Sequence, residues 1–254
     1  MSAINSFGRL LAIMDDLRAK CPWDKKQTFE SLRHLTIEET YELADAIIEG
    51  NINDICKELG DLLLHIVFYA KIASETGDFS IAEVIDGICE KLVFRHPHVF
   101  GDVSVVDAEE VKTNWESLKI KEGNKSILGG VPKSLPAMVK AHRVQDKARS
   151  VGFDWDVREQ VWEKIEEELS ELKIEIERMD AEKIEAEFGD LLFSIVNAAR
   201  LYDIDPEAAL ERTNKKFINR FNYLEEKTIK AGKPLTSLTL DEMEIIWEEA
   251  KRVL

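Results

Sequence analysis

"EETYELADAIIEGNINDICKELGD", from Glu38 to Asp61, sets acids at both ends of an apolar helical pattern with a turn signal between them. Glu42 stands eight residues before Gly50 and Glu58 eight after it. Glu39 stands eleven before and Asp61 eleven after. Two helices joined by a tight turn at Gly50 form an antiparallel hairpin, in which residues equidistant from the turn lie side by side. The spacing therefore predicts Glu39 opposite Asp61 and Glu42 opposite Glu58. Each helix supplies its acids at i and i+3, which share a face. Four carboxylates in one small volume repel one another unless a positive charge sits among them.

An acidic helix face is more often a solvated surface, and one such hairpin does not decide the matter. Repetition does. Shifted by 129 residues, Glu38, Glu39, Glu42, Glu58 and Asp61 fall on Glu167, Glu168, Glu171, Glu187 and Asp190 without a gap. Over positions 38–72 the shift matches 14 of 35 residues, with "KELGDLLLHIV" on "AEFGDLLFSIV". This is an internal duplication. The second hairpin turns about Met179 with the same spacing of eight and eleven. Lys91 and Arg95 match Lys216 and Arg220, Trp23 matches Trp155, and "NWESLK" at Trp115 matches "IWEEAK" at Trp247.

"KEGNKSILGGVPKSLP" is the strong linker signal between the halves. It predicts a first repeat over 1–121, a linker over 122–136 and a second repeat over 137–254. Apolar residues recur at helical spacing, as in Phe7, Leu10, Leu11, Met14 and Leu17, and in Ile184, Phe188, Leu191, Leu192 and Ile195. Thr239 with Glu242 predicts a capping box. Alternating strand patterns are scarce. The expected fold is all-α, two tandem bundles of about four or five helices each.

The chain has 254 residues, with 50 Asp and Glu against 34 Lys and Arg and a formal charge of −16. Such a surface repels nucleic acid. No apolar run is long enough to span a membrane, and the first residues lack a signal-peptide core. Cys21, Cys56 and Cys89 make no CxxC pair and read as reduced thiols of a cytoplasmic protein.

Carboxylate clusters of this kind suit a hard divalent cation such as Mg²⁺, which shares its coordination sphere between protein oxygens and substrate phosphates. Zinc or iron calls for imidazole or thiolate in the cluster. His65, one turn beyond Asp61, stands within reach of a cation, but its counterpart Ser194 favours a place in or near the core. Lys216 and Arg220, four apart on one helix, suit a polyphosphate, as do Lys91 and Arg95. Trp155 and Trp247 can stack on a nucleobase or fill a core. No GxxxxGK[ST] loop is present.

Paired EExxE and ExxD elements followed by a Lys-xxx-Arg helix, together with "CPWDKKQTFESLRHLTIEETYEL", "FRHPHVFGD" and "VGFDWD", resemble the MazG family of all-α nucleoside triphosphate pyrophosphohydrolases in its two-repeat form. The resemblance covers nearly the whole chain. It implies hydrolysis of NTPs and dNTPs between the α and β phosphates, in nucleotide-pool housekeeping. It also implies Mg²⁺ with Mn²⁺ as a substitute, binding of ATP and other bases alike, and a homodimer. Carried over by motif, Glu168, Glu171, Glu187 and Asp190 are metal ligands in the second repeat, and Glu39, Glu42, Glu58 and Asp61 in the first. Glu167 and Glu38 are then candidates to activate water. Lys216 and Arg220 contact phosphates, with Lys91 and Arg95 in the same places of the first repeat, and Trp247 lies near base or ribose. The stronger basic helix, with Lys215 beside Lys216, favours the second repeat as the working half. The rival readings are a non-catalytic nucleotide-binding regulatory module and a phosphohydrolase that releases orthophosphate.

Overall fold

Gly50 and Met179 turn the chain where the symmetry of the acids requires it. The computed structural model describes residues 2–107, 110, 111, 114, 115, 118, 126–155, 157–230 and 232–254. The chain divides into two compact units, Met1–Val106 and Asp107–Leu254. The division falls upstream of the linker expected at 122–136, whose first residues lie outside the described ones. Residues 126–136 go with the second unit, where the Lys147 ammonium donates to the Ile127 carbonyl at 3.0 Å.

The first unit runs through α1 (Ala3–Lys20), α2 (Phe29–Glu49), α3 (Ile52–Thr76), α4 (Ile81–Arg95) and a single turn, α5 (Pro97–Phe100). α2 opens on a capping box in which Thr28 and Ser31 exchange side-chain and backbone hydrogen bonds. It closes on Gly50 in the left-handed region, φ +70°. Asn51 then caps α3 through the Asn53 and Asp54 amides, so the hairpin turn is two residues long. α1 packs on α3, burying Met14, Leu32, Val67 and Phe68 with Phe7, Leu10 and Leu11 around them. Truncating a buried side chain such as Met14 to alanine costs about 2–5 kcal/mol.

Arg18 ties the end of α1 down. Its guanidinium meets both carboxylate oxygens of Glu75, at 2.9 and 2.5 Å, and also reaches the carbonyls of Asp24 and Gln27. The hydrogen bond from Arg18 holds the Glu75 carboxyl below the usual carboxylate range.

The second unit contains α6 (Ala137–Arg149), α7 (Val161–Arg178), α8 (Ala181–Leu201), α9 (Pro206–Lys230) and α10 (Leu240–Val253). No strand occurs among the described residues of either unit. α7 and α8 repeat the α2–α3 hairpin, α6 packs on α8, and α9 packs on α10, α6 and α8. Val161, Leu172, Val196, Leu224 and Ala250 are buried. The stripe expected on α8 is only partly covered: Ile184 and Leu191 are half-buried, while Phe188, Leu192 and Ile195 are each about half exposed. Thr239 and Glu242 form the expected capping box at the start of α10.

The second turn is the more strained of the two. Met179 takes the left-handed conformation, φ +56°, with its side chain 85% exposed. A side chain there is disfavoured by roughly 1 kcal/mol, which glycine avoids. Met179→Gly is therefore expected to raise the melting temperature by about 2–4 °C, measured by thermal unfolding followed by circular dichroism. No rise would mean that the turn carries no such strain.

Candidate functional site

The two-residue turns bring the acids together. Carboxylate oxygens of Glu39, Glu58 and Asp61 lie within 4.8 Å of one another, and so do those of Glu168, Glu171 and Glu187. Glu42 and Asp190 stand outside these triads but within electrostatic range. On Glu39 the like charges act in the order Asp61, Glu42, Glu58. On Glu187 the order is Glu171, Asp190, Glu168, Glu175. The strongest neighbour is in each case the residue equidistant from the turn, as the hairpin reading requires. Burial first, and these like charges second, push the Glu39 and Glu187 carboxyls above the ordinary carboxylate range.

Each repeat answers its repulsion with one lysine, but not the same one. In the first, Lys57 donates to the buried Glu58 carboxylate at 2.9 Å. In the second, Lys164 bridges Glu168 at 2.7 Å and Glu167 at 3.2 Å. The hydrogen bonds to these acids raise the pKa of both lysines above the usual lysine value. Even so, Glu58 Oε2 and Glu187 Oε2 are buried without a hydrogen-bond partner. A buried carboxylate oxygen left unpaired is costly. An all-oxygen donor set with orphaned oxygens fits a hard divalent cation.

The leading acids, Glu38 and Glu167, are exposed beside their clusters. His65 is buried, and its Nδ1 lies 2.7 Å from the Thr36 hydroxyl, which also meets Tyr69 at 2.7 Å. Burial keeps this imidazole below its ordinary pKa, with Asp61 acting in the opposite sense. It belongs to a core network of the first unit. Of the basic residues, Lys91 is exposed and Arg95 half-buried on α4. On α9, Lys216 is exposed, and the Arg220 guanidinium lies over the Trp247 ring of α10 at 6.0 Å. Phe217 packs against the same ring at 5.0 Å. Arg220, Phe217 and Trp247 thus form one cluster on α9 and α10.

Three charged residues at the clusters escaped the sequence reading: Lys57, Lys164 and Glu175. Glu175 is buried on α7, accepts from Arg178 at 2.5 Å, and acts on Glu187. Their repeat counterparts are Ala186, Leu35 and Ala46, so comparing the halves hid them. Helical i,i+4 spacing, Lys164 to Glu168 and Glu171 to Glu175, was the available signal.

Fold and site define a class: an all-α tandem repeat whose helical hairpins each gather carboxylates into a cation-type donor set. The MazG nucleotide pyrophosphohydrolase domain matches residues 27–100 and again 158–224. The chain is 47% identical to the nucleoside triphosphate pyrophosphohydrolase/pyrophosphatase MazG of Thermotoga maritima, over 96% of this chain and 95% of that protein. It is 42% identical to a nucleoside triphosphate pyrophosphohydrolase of Escherichia coli, over 98% of each. It also matches the uncharacterized protein YabN of Bacillus subtilis at 47% identity, over 97% of this chain and 52% of that one. The chain belongs to the MazG nucleotide pyrophosphohydrolase family and is a hydrolase.

The raised carboxyls carry a pH signature. Where the folded pKa of an acid exceeds its unfolded value, the folded state binds the proton more tightly, so stability falls as pH rises through that value. Without divalent cations, melting temperature should fall between about pH 4.5, the ordinary glutamate value, and neutrality. Millimolar Mg²⁺ should restore it more at pH 7.5 than at pH 5. Calorimetric scans at the two pH values decide this, and an equal or absent Mg²⁺ effect would count against a cation among these acids.

Proposed function

We propose that this protein hydrolyses nucleoside triphosphates, NTPs and dNTPs alike, between the α and β phosphates, yielding monophosphate and pyrophosphate. The observation that carries the reading is the pair of carboxylate clusters, each with a buried glutamate oxygen lacking a partner. Glu168, Glu171, Glu187 and Asp190 would hold Mg²⁺, or Mn²⁺ in its place, in the second repeat, with Glu39, Glu42, Glu58 and Asp61 in the same role in the first. When bound, such a cation supplies Lewis-acid neutralisation of the phosphate charge.

The chain's own groups do the rest. Glu167, or Glu38 in the first repeat, takes a proton from the attacking water as general base. The water oxygen bonds to the α-phosphorus, the bond to the α–β bridging oxygen breaks, and pyrophosphate departs. Lys164 holds Glu167 and Glu168 together on α7. Lys216 and Arg220 offset the charge of the triphosphate, with Lys91 and Arg95 as their counterparts. Trp247, backing Arg220, contacts the ribose side. The role that follows is removal of unwanted triphosphates from the cytoplasmic nucleotide pool. No helix among the described residues is long and apolar enough to cross a membrane. A homodimer is part of the same reading, supported by the half-exposed Phe188, Leu192 and Ile195 along one face of α8.

Purified protein with Mg²⁺ and a panel of NTPs and dNTPs should release monophosphate and pyrophosphate, identified by ion-exchange chromatography. The double variant Glu168→Ala/Glu171→Ala should lose on the order of 100-fold or more in rate, whereas Glu39→Ala/Glu42→Ala should retain most of it. Orthophosphate as product, or nucleotide binding without turnover, would overturn the assignment.

A further inference from the structure

The lysines at the two carboxylate clusters are not equivalent when a cation is to enter. Lys57 and Glu58 are neighbours on α3, and the Lys57 ammonium donates to Glu58 Oε1 at 2.9 Å. The Glu58 side chain is 7% exposed, whereas that of Lys57 is 66% exposed. The ammonium thus reaches in from solvent to an inner carboxylate, and its charge is felt at Glu39, Glu42 and Asp61 as well. Among the described residues, Glu58 is its one ion-pair partner. Lys164 approaches differently. It stands one turn before Glu168 on α7 and meets two carboxylates, Glu168 at 2.7 Å and Glu167 at 3.2 Å. The matched positions are uncharged: Ala186 answers Lys57, and Leu35 answers Lys164.

From this difference we propose that Lys57 competes with the divalent cation of the first repeat, so that the two repeats load at different cation concentrations, the second before the first. The inference rests on the reading of both clusters as cation sites. A divalent ion held by Glu39, Glu58 and Asp61, whose oxygens lie within 4.8 Å of one another, must take up the Glu58 carboxylate. An ammonium hydrogen-bonded to that carboxylate then stands close beside the ion, and like charges at such range repel strongly where water is partly excluded. Lys57 must withdraw into solvent and give up its one ion pair. Its side chain is mostly exposed, so it has room to do so. A flexible stem and a strongly hydrated ammonium make the contact reversible.

The second repeat meets no such conflict. When Glu168 turns to a cation, Lys164 keeps Glu167, the exposed leading acid, as its partner. In the first repeat Leu35 stands in the place of Lys164, so Glu38 gains no such lysine. Lys57 is instead a monovalent stand-in: without a divalent ion, it keeps one charge of the right sign on Glu58, the most buried acid of its triad.

The test reads cation binding, not turnover. Mn²⁺ is titrated, with the free ion followed by electron paramagnetic resonance, into Glu168→Ala/Glu171→Ala, in which the second cluster is disabled and the first intact. Adding Lys57→Ala should tighten the remaining site about tenfold, the effect of removing one charge beside a divalent ion at a partly exposed site. Lys57→Arg keeps the charge and should not tighten it. Circular dichroism on the same samples establishes that each is folded, and Lys57→Gln replaces the alanine variant if that one is not. Equal affinity with and without Lys57→Ala overturns the proposal and leaves the cation site standing. An equal gain in Lys57→Arg also overturns it, because charge is then not the cause. Mn²⁺ bound neither by the parent nor by its Lys57→Ala derivative removes the first cluster as a cation site, and the proposal falls with that reading.

Discussion

Like charges forced into one place govern this molecule. An antiparallel hairpin with acids at matched distances from its turn brings carboxylates within 4.8 Å of one another, and it does so twice. Partial burial magnifies the repulsion, because Coulomb energy grows as the effective dielectric falls. Local features follow from tolerating that arrangement. Both turns are two residues long with a left-handed residue at the bend. The buried Glu58 and Glu168 each have a lysine against them, and the Oε2 atoms of Glu58 and Glu187 are buried without a hydrogen-bond partner. A cluster that costs this much to assemble is intelligible in a member of a nucleotide pyrophosphohydrolase family, because an all-oxygen donor set suits a hard cation.

The two repeats meet one electrostatic problem with different parts. Lys57 lies beside Glu58 on α3, whereas Lys164 comes from α7 and engages the leading acid as well as Glu168. The second repeat adds the acid Glu175 where the first has Ala46. One turn past the ExxD motif the repeats differ again, with His65, Thr36 and Tyr69 closing a core network in the first. Two turns past it, Phe68 fills volume that is a cleft beside Asn197.

Much of the site was legible in the residues because the carboxylates obey two simple rules: symmetry about a turn, and i,i+3 spacing along a helix. Both rules depend only on backbone periodicity. The lysine partners were less legible, because comparing the halves directs attention to what they share. The α8 stripe of Phe188, Leu192 and Ile195 has the spacing of a buried face yet stays half exposed. Periodicity tells which side chains share a face, not whether a neighbouring element arrives to cover it.

By itself, the sequence determined the all-α class, the duplication, the two hairpin turns and the acids that would meet across them. All of these are consequences of local geometry repeated along the chain. Tertiary structure alone decided which oxygens are left without partners, that Trp247 is engaged by Arg220 and Phe217, and that a cleft opens beside Asn197. Those outcomes depend on how the helices of each unit pack, and packing depends on side-chain volumes from distant parts of the chain. At matched positions one repeat buries Phe68 in its core and the other places Asn197 in the wall of a cleft.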